Sequence, residues 1–499
     1  MQGFTPLDHV VLAVYLILVV AMGAAFVRGQ RSTEDYFLAG RSMPWLPVGI
    51  SIFASLFSAI SLLGSPGWVY DHDVTLGLTL VTIPMVTPIV VWVILPFFHR
   101  LKVFTAYEYL ERRFSPLVRL ASGILFLFQR GSYLAVVIYA PSLVLSTATG
   151  IELKWTILLI GGLATFYTLL GGMKAVIWTD VVQAGVLLGG LILVVGVLVS
   201  RIDGGVAEII SVGIQNGPFH VQLSWGDWAT VSLGAVLING IFVNLSQYGP
   251  DQITLQRYLT TPDIRSGRNA MLLNVLLTIP VGLLLIFIGG ALYVFYLKNP
   301  ARLGDVSTGD AVLPHFVIHE LPAGVSGVFI AAMFAAAMST IDSVINSLST
   351  SSIKDFYERY FGGNKSERSL LNASRFFTLL WGGCATMLAL YIQYFENILS
   401  ASKTLAGLFS GSLLGVFLLG LLTVRATAMG SLVGALVGFA LVASIVTWTS
   451  VSFLWYAPIG CVVTFLLGYG LSCFSTPASL DRLRGLVVWS PSAPDSPLK

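Results

Sequence analysis

Charge is scarce in this chain: Asp, Glu, Lys and Arg make up 10% of its 499 residues against 56% hydrophobic, where a soluble domain carries about 25% charged residues. The shortage excludes a water-soluble globule and points to a polytopic membrane protein. The formal net charge is only +3, and the Lys and Arg are dispersed among short loops without a basic stripe, which removes nucleic acid as a partner. Cysteine is rarer still. Cys384, Cys461 and Cys473 are odd in number and lie in apolar runs, so there is neither a disulfide framework nor metal-ligand spacing. His315 and His319 stand one turn apart with no third ligand nearby, too few for a metal centre. No stretch between the apolar runs could house a soluble catalytic domain, and no G-x-x-x-x-G-K-[ST] phosphate loop occurs. The chain therefore reads as no enzyme and no binder of ATP, which leaves an ion gradient as the common source of energy.

What is abundant is apolar length. With about 20 residues per span, thirteen candidate spans begin near residues 9, 45, 75, 120, 155, 177, 228, 270, 324, 376, 404, 426 and 452. An odd number puts the termini on opposite sides. Twenty-one Lys and Arg then fall in loops on one side, and Lys154, Arg201, Lys298, Arg302 and Lys403 on the other, with Arg130 inside a span. The positive-inside rule sets the N-terminus outside and the C-terminus in the cytoplasm of a plasma-membrane protein. The first run lacks a basic n-region and is long for a signal peptide, so it is expected to be retained.

The most informative stretch is Gly324 to Asp355. It opens as an apolar helix and then fills with Ser, Thr and Asn. Ala336, Ser339, Thr340 and Ser343 fall at i, i+3, i+4 and i+7, one helical face with Asp342 beside it. Oxygen ligands on one face suit a small hard cation. Membrane hydroxyls also bond back to their own helix or allow close packing. A carboxylate at that depth costs roughly 2.5–3.5 kcal/mol and marks a functional site by default.

Trp45 to Pro66 is a poorly committed helix, with Gly49, Ser51, Ser55, Ser58 and Ser61 along it, and it allows an unwound turn near Ala54–Ser58. Thr105 and Pro116 bound a short amphipathic loop helix. Arg130 lies within a span, as counter-ion to an anionic solute, as partner of an internal carboxylate, or snorkelling. Gly171-Gly172 makes a turn between two spans, with Asp180 a candidate N-cap beyond it. Asn239, Asn244, Ser246 and Gln247 are placed to line a polar path, and Gly249-Pro250 should interrupt their helix at the inner surface. Gly407, Gly411 and Gly415, then Gly430, Gly434 and Gly438, form close-packing seams. The Ser- and Pro-rich tail from Thr476 reads as disordered.

The stretches DYFLAGRSMPW, TAYEYLERRF, YTLLGGMKAVIWTDVVQ, DQITLQRYL and FIAAMFAAAMSTIDSVINSLS, in this order and spacing over roughly residues 9 to 470, resemble the solute:sodium symporter family. The resemblance implies an all-α transporter of about thirteen helices with the LeuT-type fold of two inverted five-helix repeats. The implied divisions are an extra helix and inner loop at 1–44, repeat one at 45–200, an outer loop at 201–227, repeat two at 228–421, two extra helices at 422–475 and the tail at 476–499. By position, the family's main sodium site falls on the carbonyls of Ala54, Phe57 and Ala336 and the hydroxyls of Ser339 and Thr340. A second cation site of some members falls on Asp180, Ser339, Asp342 and Ser343. Asp342 stands where those members have Ser or Thr, which strengthens the site or ties it to a proton.

For the solute, the arginine of sialic-acid transporters aligns with Ser132, and the aspartate of proline transporters with Leu56. The pattern from Gln129 to the IYAPSL segment is closest to the monocarboxylate, vitamin and iodide branch, so the resemblance implies import of a small organic anion with sodium. A sugar or sialic-acid symporter is the alternative, and a solute sensor or channel the alternative of another class. Candidate solute-facing positions are Ser55, Ser58, Ser61, Gln129, Arg130, Tyr133, Asn244 and Gln247. The implied partners are sodium, the solute and the lipid bilayer, with the chain working as a monomer.

Overall fold

The computed structural model describes residues 4–489 apart from 26–29, 31, 226–227, 364 and 393–397, with no side chain described at 24, 398–406 or 480. Of the charges used to orient the chain, Arg28, Arg31, Lys499 and the Lys403 side chain lie outside the described residues. The described residues form helices and no strands. Nine of the described helices are long and apolar enough to cross a membrane, ten if one bent pair counts as a span.

In chain order the principal helices are α1 (Pro6–Ala25), α2 (Trp45–Leu56), α3 (Ala59–Asp71), α4 (Thr75–Leu101), α5 (Ala106–Arg113), α6 (Pro116–Thr149), α7 (Leu153–Ser200) and α8 (Leu233–Tyr248). They continue as α9 (Gln252–Tyr258), α10 (Ile264–Lys298), α11 (Val325–Ser351), α12 (Glu367–Ile392), α13 (Ile398–Leu422), α14 (Ala428–Trp448) and α15 (Tyr456–Cys473).

Helix α11 is the axis of the molecule. Its neighbours bury 94% of its most apolar window, which its run of Ala and Ser allows because small side chains let helix backbones approach. Its N-terminus has no cap of its own. Asp8 of α1 supplies one, its carboxylate accepting the N–H groups of Gly324 at 2.8 Å and Gly327 at 2.7 Å.

Local signals set the other boundaries. At α5 the Thr105 hydroxyl accepts the Glu108 N–H at 3.2 Å, and the Glu108 carboxylate accepts the Phe104 N–H at 3.0 Å, a reciprocal cap. Helix α7 runs for 48 residues but bends at Gly172, whose φ of 57° and ψ of −161° favour glycine. Asp180 therefore lies well inside a helix and caps nothing. The seams pack as the small residues suggest: a methyl group on Gly411 would lie 2.3 Å from the Ala457 carbonyl oxygen.

Two further expectations need correction. The interruption at Gly249-Pro250 is present, yet the segment after it does not lie at a surface, since every residue of α9 is buried. Gln252, Gln256 and Arg257 are tolerated there because each finds internal hydrogen-bond partners. The tail also differs from a disordered segment over 476–489. Leu483, Leu486 and Val487 are buried, and the Leu486 carbonyl accepts the Tyr109 hydroxyl at 3.1 Å; its few apolar residues find a dry seat that composition does not reveal. Residues 490–499 lie outside the described residues.

Candidate functional site

Helices α2 and α3 are one interrupted element, bent by 58°. The helix ends when Phe57 turns to φ −97°, ψ 88°. Ser58 takes an extended backbone and restarts it, its hydroxyl accepting the Ser61 N–H at 3.3 Å. Carbonyls at such a break lose their partners four residues on and become acceptors for something else. Helix α11 supplies it. The Ser339 hydroxyl lies 3.0 Å from the Ala54 carbonyl and the Thr340 hydroxyl 3.3 Å from the Ser55 carbonyl. Both hydroxyls are also 3.1 Å from the Ala336 carbonyl of their own helix, so both expected alternatives, back-bonding and a shared oxygen cluster, hold together. Five oxygens from two elements converge here, with Ser339 and Thr340 buried. It is a donor set for a small hard cation. Ser55, expected through its side chain, contributes its carbonyl, while its hydroxyl donates to the Ile52 carbonyl at 2.9 Å. The Phe57 carbonyl is not among these hydrogen-bonded oxygens.

A second polar cluster lies one turn further along α11. The Asp342 carboxylate accepts the Tyr167 hydroxyl at 2.7 Å and the Ser343 hydroxyl at 3.2 Å. Asp180 Oδ2 accepts the Ser51 hydroxyl at 2.5 Å and lies 3.3 Å from Arg257 Nη2. Arg257 also donates to Ser51 at 2.8 Å and to the Ser343 hydroxyl. Asp180, Asp342 and Arg257 are all buried, and Asp180 Oδ1 has no hydrogen-bond partner among the described residues. Two buried carboxylates with one guanidinium, paired to Asp180, leave the cluster suited to one more positive charge, a cation or a proton. Sequence reasoning finds Asp180, Asp342 and Ser343 but misses Arg257, Ser51 and Tyr167. Arg257 follows a helix interruption that reads as an inner surface, where a cation draws no attention.

The expected solute positions divide. A cavity of about 270 Å³ is lined by Gln129, Arg130, Asn239, Ser246, Gln247 and Asp251, with Ser410, Leu413 and Phe453 among the remaining walls. Three of the eight expected positions, Gln129, Arg130 and Gln247, are on it. Arg130 forms an ion pair with Asp251 and has the Tyr133 ring stacked 5.8 Å away. Asn244 donates to the Thr82 hydroxyl at 2.8 Å, and Ser58 and Ser61 stay with the broken helix, their hydroxyls 3.4 Å apart.

The family model described as the sodium:solute symporter family matches residues 36–438. The chain belongs to the sodium:solute symporter family. It is 34% identical over 472 residues to the sodium/sialic acid symporter NanT of Aliivibrio fischeri, covering 94% of this chain and 93% of that one. It is 32% identical over 445 residues to the human sodium-coupled monocarboxylate transporter 1, covering 88% and 73%. Among solved structures, the substrate-bound outward-open state of a Na+-coupled sialic acid symporter, in which a novel Na+ site is described, superposes with a TM-score of 0.89 at 30% identity, covering 95% of this chain and 99% of that one. The all-helical fold is thus that of a sodium-coupled symporter, and the chain is a multi-pass membrane transporter of a family that carries solutes with sodium.

Proposed function

We propose that this symporter imports a carboxylated solute, an acidic sugar of the sialic-acid type in first place, together with sodium by alternating access. The observation that carries the sodium half is the meeting of the Ser339 and Thr340 hydroxyls with the carbonyls of Ala54 and Ser55 at the helix break. Ala54, Ser55, Ala336, Ser339 and Thr340, with Phe57 beside them, hold the main sodium ion. A cation there ties α11 to α2 and favours the form that accepts solute, and parting the two elements releases both ions and solute. Asp180, Ser339, Asp342 and Ser343 form the second cation site.

The acidic-sugar reading is supported by the named activity of the Aliivibrio relative and of the superposed structure. The cavity supports it too. Its volume of about 270 Å³ lies just under the roughly 300–1,000 Å³ of sites for drug-sized ligands, the scale of one sugar acid and loose for a short monocarboxylate. Import of a monocarboxylate or vitamin-like anion is the second reading, favoured by the human relative.

The topology that goes with this function has thirteen spans: α7 crosses twice about Gly172, the broken pair once, and α8 and α13 once each. The inverted repeats take 45–200 and 228–421, the N-terminus lies outside the plasma membrane and the C-terminus in the cytoplasm, and a monomer works without ATP.

The test is uptake by the purified chain in proteoliposomes, under an inward sodium gradient, of sialic acid, lactate, biotin, glucose and proline. Sodium-dependent accumulation of sialic acid is expected. Accumulation of glucose or proline alone would overturn the carboxylate reading, and uptake indifferent to sodium would overturn the coupling.

A further inference from the structure

Asp251 sits where two functions meet. Its backbone lies at the break between α8 and α9, and its Oδ1 caps α9 by accepting the Ile253 N–H at 2.9 Å. Its Oδ2 is bound by Arg130 Nη2 across the cavity. Arg130 uses one arm of its fork on this carboxylate, and its buried Nε has no hydrogen-bond partner among the described residues. A guanidinium favours bidentate capture of a carboxylate, and Asp251, held by its capping duty, meets it through one contact. The cavity around the pair carries the amides of Asn239 and Gln247 and the hydroxyls of Ser246 and Ser410, groups that suit a solute rich in hydroxyls.

The other end of α9 reaches the ion ligands. Six residues beyond Asp251, Arg257 bonds to Asp180, Ser51 and Ser343, linking α7, α2 and α11. One short buried helix therefore has its N-terminus pinned at the solute cavity and its C-terminal turn pinned at the second cation cluster.

We propose that Asp251 is an internal stand-in for the solute's carboxylate: it occupies Arg130 until an acidic solute takes over the guanidinium, and its release unpins α9 and so alters the cation ligands that Arg257 holds. This rests on the acidic-solute reading above. It gives Arg130 the role of reading the carboxylate. It gives Asp251 the role of a competitor that only a solute with a carboxylate displaces, since only a second carboxylate restores what Arg130 loses. The coupling is reciprocal: whatever solute binding does to sodium affinity, sodium does to solute affinity.

The experiment measures equilibrium binding of sialic acid and of its methyl ester to the purified chain, at saturating sodium and over a sodium titration, with melting temperature in sodium recorded alongside. Asp251→Asn keeps a good helix cap and removes the competing charge. It is expected to bind sialic acid about ten-fold tighter, in line with loss of a charge-assisted bond, with the ester unchanged, and to lose most of the sodium dependence of solute affinity. Asp251→Ser, which also caps, must shift binding the same way. Arg130→Gln is expected to weaken the acid at least about ten-fold, to leave the ester nearly unchanged, and to abolish the effect of Asp251→Asn in the double variant. Wild-type binding of sialic acid with equal or weaker binding by both Asp251 variants would overturn the stand-in while leaving the acidic-solute reading intact. If the wild type binds neither sialic acid nor lactate while sodium still raises its melting temperature, the acidic-solute reading fails and the stand-in with it.

Discussion

Arg257 Nη2 stands 3.3 Å from Asp180 Oδ2 with neither side chain exposed. The guanidinium also bonds to Ser51 and Ser343, so α9, α7, α2 and α11 share one desolvated charge. Such a pair is a poor source of net stability but a severe constraint on geometry, because each partner is tolerable only while the other is present.

Arg257→Gln should therefore leave Asp180 uncompensated and cost about 3–5 kcal/mol, read as a large fall in melting temperature in detergent. Adding Asp180→Asn should restore most of the loss. A double variant no better than the single one would mean that the guanidinium acts through packing alone.

Ser339→Ala combined with Thr340→Ala removes both hydroxyls that meet the α2 carbonyls. The sodium concentration for half-maximal uptake should rise at least about ten-fold, which is roughly 1.4 kcal/mol of binding energy. Sodium titration of uptake decides it, and an unchanged midpoint would remove the main site.

Gly172→Ala should destabilise by about 1–3 kcal/mol, because the left-handed backbone strains any side chain and the new methyl group would meet the Tyr36 carbonyl at 2.8 Å. Gly162→Ala, with nothing within 4 Å of the added carbon, is the control and should change little. Thermal unfolding of the two variants side by side gives the comparison.

Glu111, on the loop helix α5, accepts Arg119 at 2.7 Å and Arg359 at 2.9 Å. Burial pushes its carboxyl upward, but the two guanidinium groups outweigh that and hold it below its ordinary value of 4.5. A lowered folded value gives stability that is present above the unfolded value and lost as pH falls through the folded one. The difference in melting temperature between wild type and Glu111→Gln should therefore be full near neutrality and shrink below about pH 4.5.

The oxygen stripe of α11 was legible because helical spacing alone brings Ser339, Thr340 and Ser343 to one face, and a carboxylate beside them is costly in lipid. The break at Phe57 was permitted by Ser and Gly but not required by them; it depends on α11 being there to take up the freed carbonyls. For the same reason Ser55 serves through its backbone where its hydroxyl drew notice. Arg257 and Asp251 were illegible as site residues. Each needs a partner more than 70 positions away to be stable where it is, and no local pattern carries that. The tail failed in the opposite sense, its composition outweighed by a few apolar residues with a place to dock.

Arg113 donates to the carbonyls of Gly420, Thr423 and Ala426 at the end of α13, and the Val488 N–H adds a bond to the Leu421 carbonyl at 3.0 Å. Loop helix, helix end and the segment at Val488 are thereby riveted into a single plate. A transport cycle that rocks one bundle against another must carry this plate as a unit, so a probe attached near residue 489 would report the swing of α13 and not that of a loose end.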